Sequence, residues 1–420
     1  MIDAREGSFS IGGIDAGELA SRFGTPVFVY DAEAVRATYR QVRGAFSHAP
    51  SRVHYAAVCN PNLHLLRLLR AEGAGLHANT PGDVYCGLRA GFTAEEIVFS
   101  GSNLGDEDLA YLFEAGVHVN VDSLDDLARA CRFGRGRLFG LRVHLEGILP
   151  ESRMGLREQE IAAAVALARR SGCTVGALHV YCGTHGQSPG RYGAALERLV
   201  TLAELVPDLD CINLGGGFGY DYRAPEAGGF PFAALGAEAD AALAALSRAL
   251  GRRVTLRIEP GRSLVAGAGV LLTRVRSVKQ GRAKRYVGVD TTTANFTSPA
   301  VHGAHRRVCS VAARKPHSLP ADVCGATTYS RDVIAHDTAL PEVAADDLLA
   351  VLDTGAYGYC MSGHFLNRPR PPEVFVDAGE ARLVTRRETF ADLVAAQSDL
   401  PVAGGTPPLR LLRGGLGGRS

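Results

Sequence analysis

The chain has 420 residues, 46% of them hydrophobic, enough to bury a full core and to build two domains. Its 45 basic and 44 acidic residues leave a net charge of +1, which gives no electrostatic basis for a nucleic-acid or anionic-membrane partner. No apolar run approaches transmembrane length, and the opening Met1-Ile2-Asp3-Ala4-Arg5-Glu6 lacks the basic-then-apolar pattern of a signal peptide, so a cytoplasmic location is expected.

Residues 1–26 are polar and glycine-containing, and are expected to complete a β domain formed later in the chain. Thr25-Pro26-Val27-Phe28-Val29-Tyr30 reads as a strand that Pro26 can begin but not interrupt. From residue 27 to 265 a repeat emerges, with short strand-like runs beginning near Val53, Gly75, Ile97, Val117, Leu138, Val175, Leu209 and Val254. Between them the apolar period becomes helical, as in Leu63–Ala71, Pro81–Ala90, Asp106–Ala115, Ser123–Cys131, Glu158–Arg170, Ala194–Val206 and Phe232–Leu250. Eight strands alternating with helices over about 230 residues predict a closed (β/α)8 barrel; a doubly wound open sheet is the competing arrangement.

After about residue 265 the texture turns to alternating strand-like segments, which predicts a β-rich second domain over 266–400. Residues 401–420, rich in Gly, Pro, Leu and Arg, are expected to form a flexible tail. The nine cysteines are scattered with no Cys-x-x-Cys pair, so they are expected to be reduced and mostly structural.

The stretch with the clearest chemistry is Cys211-Ile212-Asn213-Leu214-Gly215-Gly216-Gly217-Phe218-Gly219, where an apolar strand runs directly into four glycines. Without side chains there, backbone N–H groups can converge on an anion; glycines after a strand are also ordinary turn chemistry. In a (β/α)8 barrel phosphate is typically held by the loops after strands seven and eight. The glycine loop follows the seventh predicted strand and Glu259-Pro260-Gly261-Arg262 follows the eighth, which favours a phosphate cradle.

These motifs have a family pattern. Asn120-Val121-Asp122-Ser123, Ser152-Arg153-Met154-Gly155-Leu156, Gly215–Gly219, Glu259–Arg262, Asp353-Thr354-Gly355-Ala356-Tyr357-Gly358 and Asn367-Arg368-Pro369-Arg370-Pro371 follow one another in the order found in fold-type III pyridoxal-phosphate decarboxylases. The chain resembles the diaminopimelate/ornithine/arginine decarboxylase group over nearly its full length. The resemblance implies an alanine-racemase-type barrel followed by a β domain, a homodimer, and an amino-acid-like ligand. It implies that Gly216, Gly217, Gly261, Arg262 and Tyr357 hold the phosphate of pyridoxal phosphate, with a hydroxyl from Thr184, and that Glu259 faces the pyridine nitrogen.

The departures are concentrated in the groups that do covalent and acid–base work. The family's Tyr-Ala-x-Lys-x-Asn strand carries the lysine that forms the Schiff base, and here it reads Tyr55-Ala56-Ala57-Val58-Cys59-Asn60, with Val58 at the lysine's place. The three lysines, Lys279, Lys284 and Lys315, all fall in the predicted β domain. In the His-x-His-x-Gly-Ser strand Tyr181 stands for the second histidine, and His77-Ala78-Asn79-Thr80 replaces Asp-Val-x-Ser. Thr328 aligns with the family's catalytic cysteine, which the partner subunit supplies, and Ser298-Pro299-Ala300-Val301-His302 replaces the Arg-Pro-Ala-Leu-Tyr segment that binds a substrate carboxylate.

Three readings follow. The first is an enzyme of specialised metabolism that keeps the phosphate site, with pyridoxal phosphate bound without a lysine link or with another phosphorylated or carboxylated ligand. Its working groups would come from Tyr181, His77, Asn79, His185, Thr328 and His302. The second is a non-catalytic homologue that binds a ligand or pairs with an active decarboxylase. The third, metal-assisted chemistry at His302/His305 or His179/His185, rests on spacing alone, and no metal is predicted. Each novel residue also has a plain structural reading: Tyr181 and His77 as volume fillers, Thr328 as a loop residue, His185 as a solvated side chain.

Overall fold

A computed structural model describes residues 3–5, 8–48, 50–184, 188–225, 229–303, 305–312 and 315–397. Eight parallel strands close on themselves: β1 (Ser51–Ala56), β2 (Gly75–Ala78), β3 (Ile97–Ser100), β4 (His118–Val121), β5 (Leu138–His144), β6 (Thr174–His179), β7 (Cys211–Asn213) and β8 (Thr255–Ile258). Each pairs with the next, and β8 returns to β1 through Leu256↔Ser51, Arg257↔Arg52 and Ile258↔Val53. This is the (β/α)8 barrel of the sequence reading, and closure rules out the open sheet.

The outward faces of the strands are apolar and lie under the helices, whereas the barrel interior holds many polar side chains. Ile97, Val98, Phe99 and Ser100 of β3 are all buried, the pattern of a strand covered on both sides. Inside, His54 of β1 lies against Gly75 of β2, where a side chain would collide with the imidazole, and Asn120 of β4 donates to Ser100 Oγ at 2.9 Å. The helices start where their caps dictate. Thr80 and Asp83 form a reciprocal capping box for Pro81–Ala90, and Ser123 of the Asn120–Ser123 motif accepts from Asp126 N at 3.0 Å to begin Leu124–Phe133. The helix expected at Ala194 begins earlier, at Pro189, because proline fits the first helical position, and its last turn tightens into the 3-10 segment Ala203–Leu205.

The second domain is β-rich, as expected. Its long strand β9 (Gly269–Gln280) pairs with β10 (Arg285–Val289), which continues through β11 (Ala321–Cys324) to β12 (Val333–Thr338). One boundary is corrected. The strand Val27–Asp31, assigned from sequence to the barrel segment, pairs antiparallel with β9 and parallel with Glu373–Asp377, so it belongs to the second sheet. Its apolar residues face two layers: Phe28 and Tyr30 join the main core, while Val27 and Val29 pack with Phe9, Ile11, Leu19, Val270 and Val374. Residues 8–23 thereby cover that sheet. The tail 401–420 lies outside the described residues.

Candidate active site

A cavity of about 330 Å³ opens at the C-terminal mouth of the barrel, within the ~300–1,000 Å³ range of small-molecule sites. Its walls come from the ends of strands and the turns just past them: Val58 and Cys59 after β1, His77 and Asn79 at the end of β2, Arg142 on β5, His179, Tyr181 and Thr184 at and after β6, Gly216 and Gly217 after β7, and Glu259, Gly261 and Arg262 after β8. Tyr357 reaches in from the β domain, its backbone N–H donating to the Cys59 carbonyl at 2.8 Å.

Glu259 is 2% exposed, and both of its oxygens are engaged. Oε1 accepts from Asn213 Nδ2 at 2.7 Å; Oε2 lies 3.2 Å from His179 Nε2 and 3.3 Å from His77 Nε2. Burial pushes this carboxyl up, but the two imidazoles and the Asn213 amide outweigh it and hold the pKa well below the usual carboxylate range. Burial lowers the His77 pKa while the nearby Glu259 carboxylate opposes the shift, and neither ring nitrogen of His77 makes a hydrogen bond among the described residues.

The glycine loop has no room for side chains. Gly217 has φ +92°, and a Cβ there would enter the van der Waals envelope of the Gly183 carbonyl oxygen; a Cβ on Gly216 would come 2.5 Å from the Glu259 carbonyl oxygen. Arg262 is buried, donates through Nη1 to Tyr222 Oη at 2.9 Å, and places its guanidinium carbon 4.5 Å from the centroid of the Tyr357 ring. Tyr181 is fixed between two contacts: the Arg142 guanidinium carbon lies 5.4 Å from its ring centroid, and its phenol shares a 2.8 Å hydrogen bond with Thr184 Oγ1.

Val58 is 42% exposed and lines the cavity. No lysine is among the described residues lining it. Lys284 is tied to Asp322 and Asp337 at 3.0 and 2.7 Å, and Lys279 and Lys315 are exposed. Cys59 is no substitute amine, and burial pushes its thiol up to about 11.

Of the candidates from sequence, His77, Asn79, Tyr181 and Thr184 line the cavity together with Gly216, Gly217, Glu259, Gly261, Arg262 and Tyr357. Asn79 is occupied structurally, donating to the Ser100 carbonyl at 3.2 Å. His302 is exposed outside the cavity lining, with its ring edge-on to Tyr357 at 5.7 Å. Thr328 is exposed on a loop of the β domain and does not line the cavity of its own chain. His185 lies outside the described residues, and no group of three or more His, Cys, Asp or Glu among the described residues is arranged to hold a metal ion. Sequence reading missed Arg142 and Asn213 as site residues and weighed His179 only as a metal ligand with His185, not as a partner of Glu259. Their signal was a polar residue in an otherwise apolar strand, at the parity that points into the barrel.

Comparison with known proteins places these features in a group. Residues 32–266 match the family model described as pyridoxal-dependent decarboxylase, pyridoxal binding domain. A diaminopimelate decarboxylase of Methanothermobacter thermautotrophicus is 34% identical over 419 residues, covering 94% of this chain and 96% of that protein. The Escherichia coli K12 diaminopimelate decarboxylase is 31% identical over 413 residues, covering 90% and 95%. Among solved structures, the diaminopimelate decarboxylase of M. jannaschii in co-complex with L-lysine superposes with a TM-score of 0.87 at 26% identity, covering 96% of this chain and 98% of that one.

Proposed function

This chain belongs to the fold-type III pyridoxal-phosphate decarboxylases, and from that premise we propose that it binds pyridoxal phosphate, or an adduct of it with an amino acid, without a covalent link to the protein. The observation that carries the reading is a cavity lined by the glycine loop, Arg262 and the buried Glu259 carboxylate, with no lysine among the described residues that line it.

The residues present fit the non-covalent part of the cofactor. Gly216, Gly217 and Gly261 leave space for a phosphate against backbone N–H groups, with Arg262, Tyr357 and Thr184 beside them. Glu259, held as an anion, can accept from a protonated ring nitrogen, and Tyr181 offers a flat face fixed by Arg142 and Thr184. They do not fit a covalent attachment, since Val58 has no amine. Pyridoxal phosphate, when bound, supplies an electron sink for cleavage of a bond at an amino-acid carbon. Val58 can neither hold nor return a proton there, so lysine-dependent turnover is absent and any chemistry differs from ordinary decarboxylation. His77, in the cavity wall with Nε2 at 3.3 Å from Glu259 Oε2 and Nδ1 without a hydrogen-bond partner among the described residues, is the group we assign to accept or donate a proton. The proposed ligand is amino-acid-like, as L-lysine is for the M. jannaschii relative, and a homodimer is the working unit that the resemblance to the family implies.

The test is an absorption spectrum of purified, desalted protein with and without pyridoxal phosphate, alongside a Val58→Lys variant. The native protein should retain a band close to that of the free aldehyde and lose it on dialysis, whereas Val58→Lys should shift the band to the lysine-linked region and resist dialysis. Absence of retained cofactor in both proteins overturns the reading.

A further inference from the structure

Next to the glycine loop lies a buried cation, Arg306, with no salt-bridge partner among the described residues. Arg306 is 1% exposed; its Nη2 donates to Ser298 Oγ at 2.9 Å and its Nη1 to the His305 carbonyl at 3.0 Å, while Nε has no partner. Among the described residues no carboxylate lies within salt-bridge distance of it. Replacing a buried charge of this kind by an apolar side chain of similar volume is often neutral or stabilising, so folding alone gives little reason for an arginine here.

Its surroundings point to the ligand site. The Arg306 guanidinium carbon sits 3.9 Å from the centroid of the Tyr222 ring, and the hydroxyl of that same tyrosine accepts from Arg262, which lines the cavity. Tyr222 meets Tyr220 edge to face at 5.0 Å; Tyr220 donates to Asp353 Oδ1 at 2.6 Å, and Asp353 Oδ2 holds Arg307 at 3.1 Å. Two guanidinium groups, Arg262 and Arg306, thus meet at Tyr222, and neither is in an ion pair with a carboxylate among the described residues, although Asp353 is near enough to act on Arg306. A phosphate monoester carries about −1.5 to −2 at neutral pH. The field is felt nearby: burial first, then Arg262 and Arg306, lower the pKa of His302.

We propose that Arg306 is an affinity determinant for a phosphate-bearing ligand, a positioning residue that acts on Arg262 through Tyr222 and supplies the second positive charge balancing a phosphate dianion. The inference rests on the reading that the cavity takes pyridoxal phosphate. It gives that reading a physical complement: a chain that has no lysine to retain its ligand covalently retains it by buried charge instead. Arg306 need not touch the phosphate, because interaction between charges several ångströms apart is weakly screened where water is excluded.

The experiment compares wild type, Arg306→Met and Arg306→Lys for binding of pyridoxal phosphate, phosphate-free pyridoxal and inorganic phosphate by equilibrium dialysis, together with the melting temperature of each ligand-free protein. Arg306→Met should weaken pyridoxal phosphate and inorganic phosphate by about tenfold or more, leave pyridoxal within about twofold, and melt no lower than wild type. Arg306→Lys should recover most of the loss. Unchanged binding of both phosphate ligands by Arg306→Met overturns the proposal, and so does a lower melting temperature with equal losses for pyridoxal and its phosphate. A wild type that binds inorganic phosphate but not pyridoxal phosphate overturns the cofactor reading, while a selective loss of phosphate in Arg306→Met still supports the role of Arg306. A wild type that binds neither overturns both.

Discussion

Asn213 donates its side-chain N–H to Glu259 Oε1 across 2.7 Å, tying the last residue of β7 to the residue that follows β8 inside the barrel. Backbone pairing of Asn213 with Arg257 fixes the reach of this amide, so the carboxylate is aimed before any ligand arrives. Glu259→Gln keeps the shape but removes the charge that a protonated ring nitrogen needs. The variant is expected to bind pyridoxal phosphate about tenfold more weakly, the loss of one charge-assisted hydrogen bond, with inorganic phosphate affinity unchanged. Spectrophotometric titration with the cofactor and competition by phosphate check this. Equal weakening of both ligands would instead mean that the loop had moved.

Gly217→Ala should separate the cradle from the rest of the fold. The new methyl group meets the Gly183 carbonyl oxygen and the backbone is left-handed at φ +92°, so a loss of about 1–3 kcal/mol in stability is expected together with loss of phosphate binding. Gly251→Ala is the control: φ is +65° there and nothing lies within 4 Å, so it should cost about 1 kcal/mol and leave binding intact. Urea midpoints and dialysis binding of both variants decide the matter; equal binding by the two would remove the cradle from the argument.

The barrel interior makes stability depend on acid. Burial, followed by the charge of Arg257, lowers the pKa of both His54 and His118 from 6.5 to about 3. Between pH 6.5 and 3 the unfolded chain therefore binds protons that the folded one refuses. The stability is complete above pH 6.5 and falls as the pH drops toward 3, by up to about 1.4 kcal/mol per pH unit for each histidine. The depressed pKa of Glu259 adds to the loss in the same direction below its ordinary range. Urea unfolding from pH 7.5 to 4.5 should show a falling midpoint, and His54→Leu should flatten that slope. A slope identical in wild type and variant would show that His54 is not part of it.

The parts legible in the sequence are those in which local pattern and chemistry coincide. Gly215–Gly219 and Glu259–Arg262 stand directly after strands whose apolar runs are unmistakable, so their place at the barrel mouth followed from counting strands. Val27–Asp31 was not legible, because five consecutive buried residues look alike in a barrel and in a central strand, and their partners lie hundreds of residues away. Arg306 was hidden for the opposite reason. In His305-Arg306-Arg307 it reads as a solvated basic run, and only the packing of Tyr222 and Phe296 around it puts it out of water.

Tyr30 donates to Glu373 Oε1 at 2.8 Å over a separation of 343 residues, and Asn60 Nδ2 reaches the Gly355 carbonyl at 3.1 Å beside the cavity. During synthesis the barrel segment is complete long before Tyr357 and the strand Glu373–Asp377 exist. Val27–Asp31 must wait, unpaired on that side, until Glu373–Asp377 has been made, and until Tyr357 exists one wall of the cavity is missing. Ligand binding therefore waits on the synthesis of residues 355–377, well after the barrel segment itself has been made.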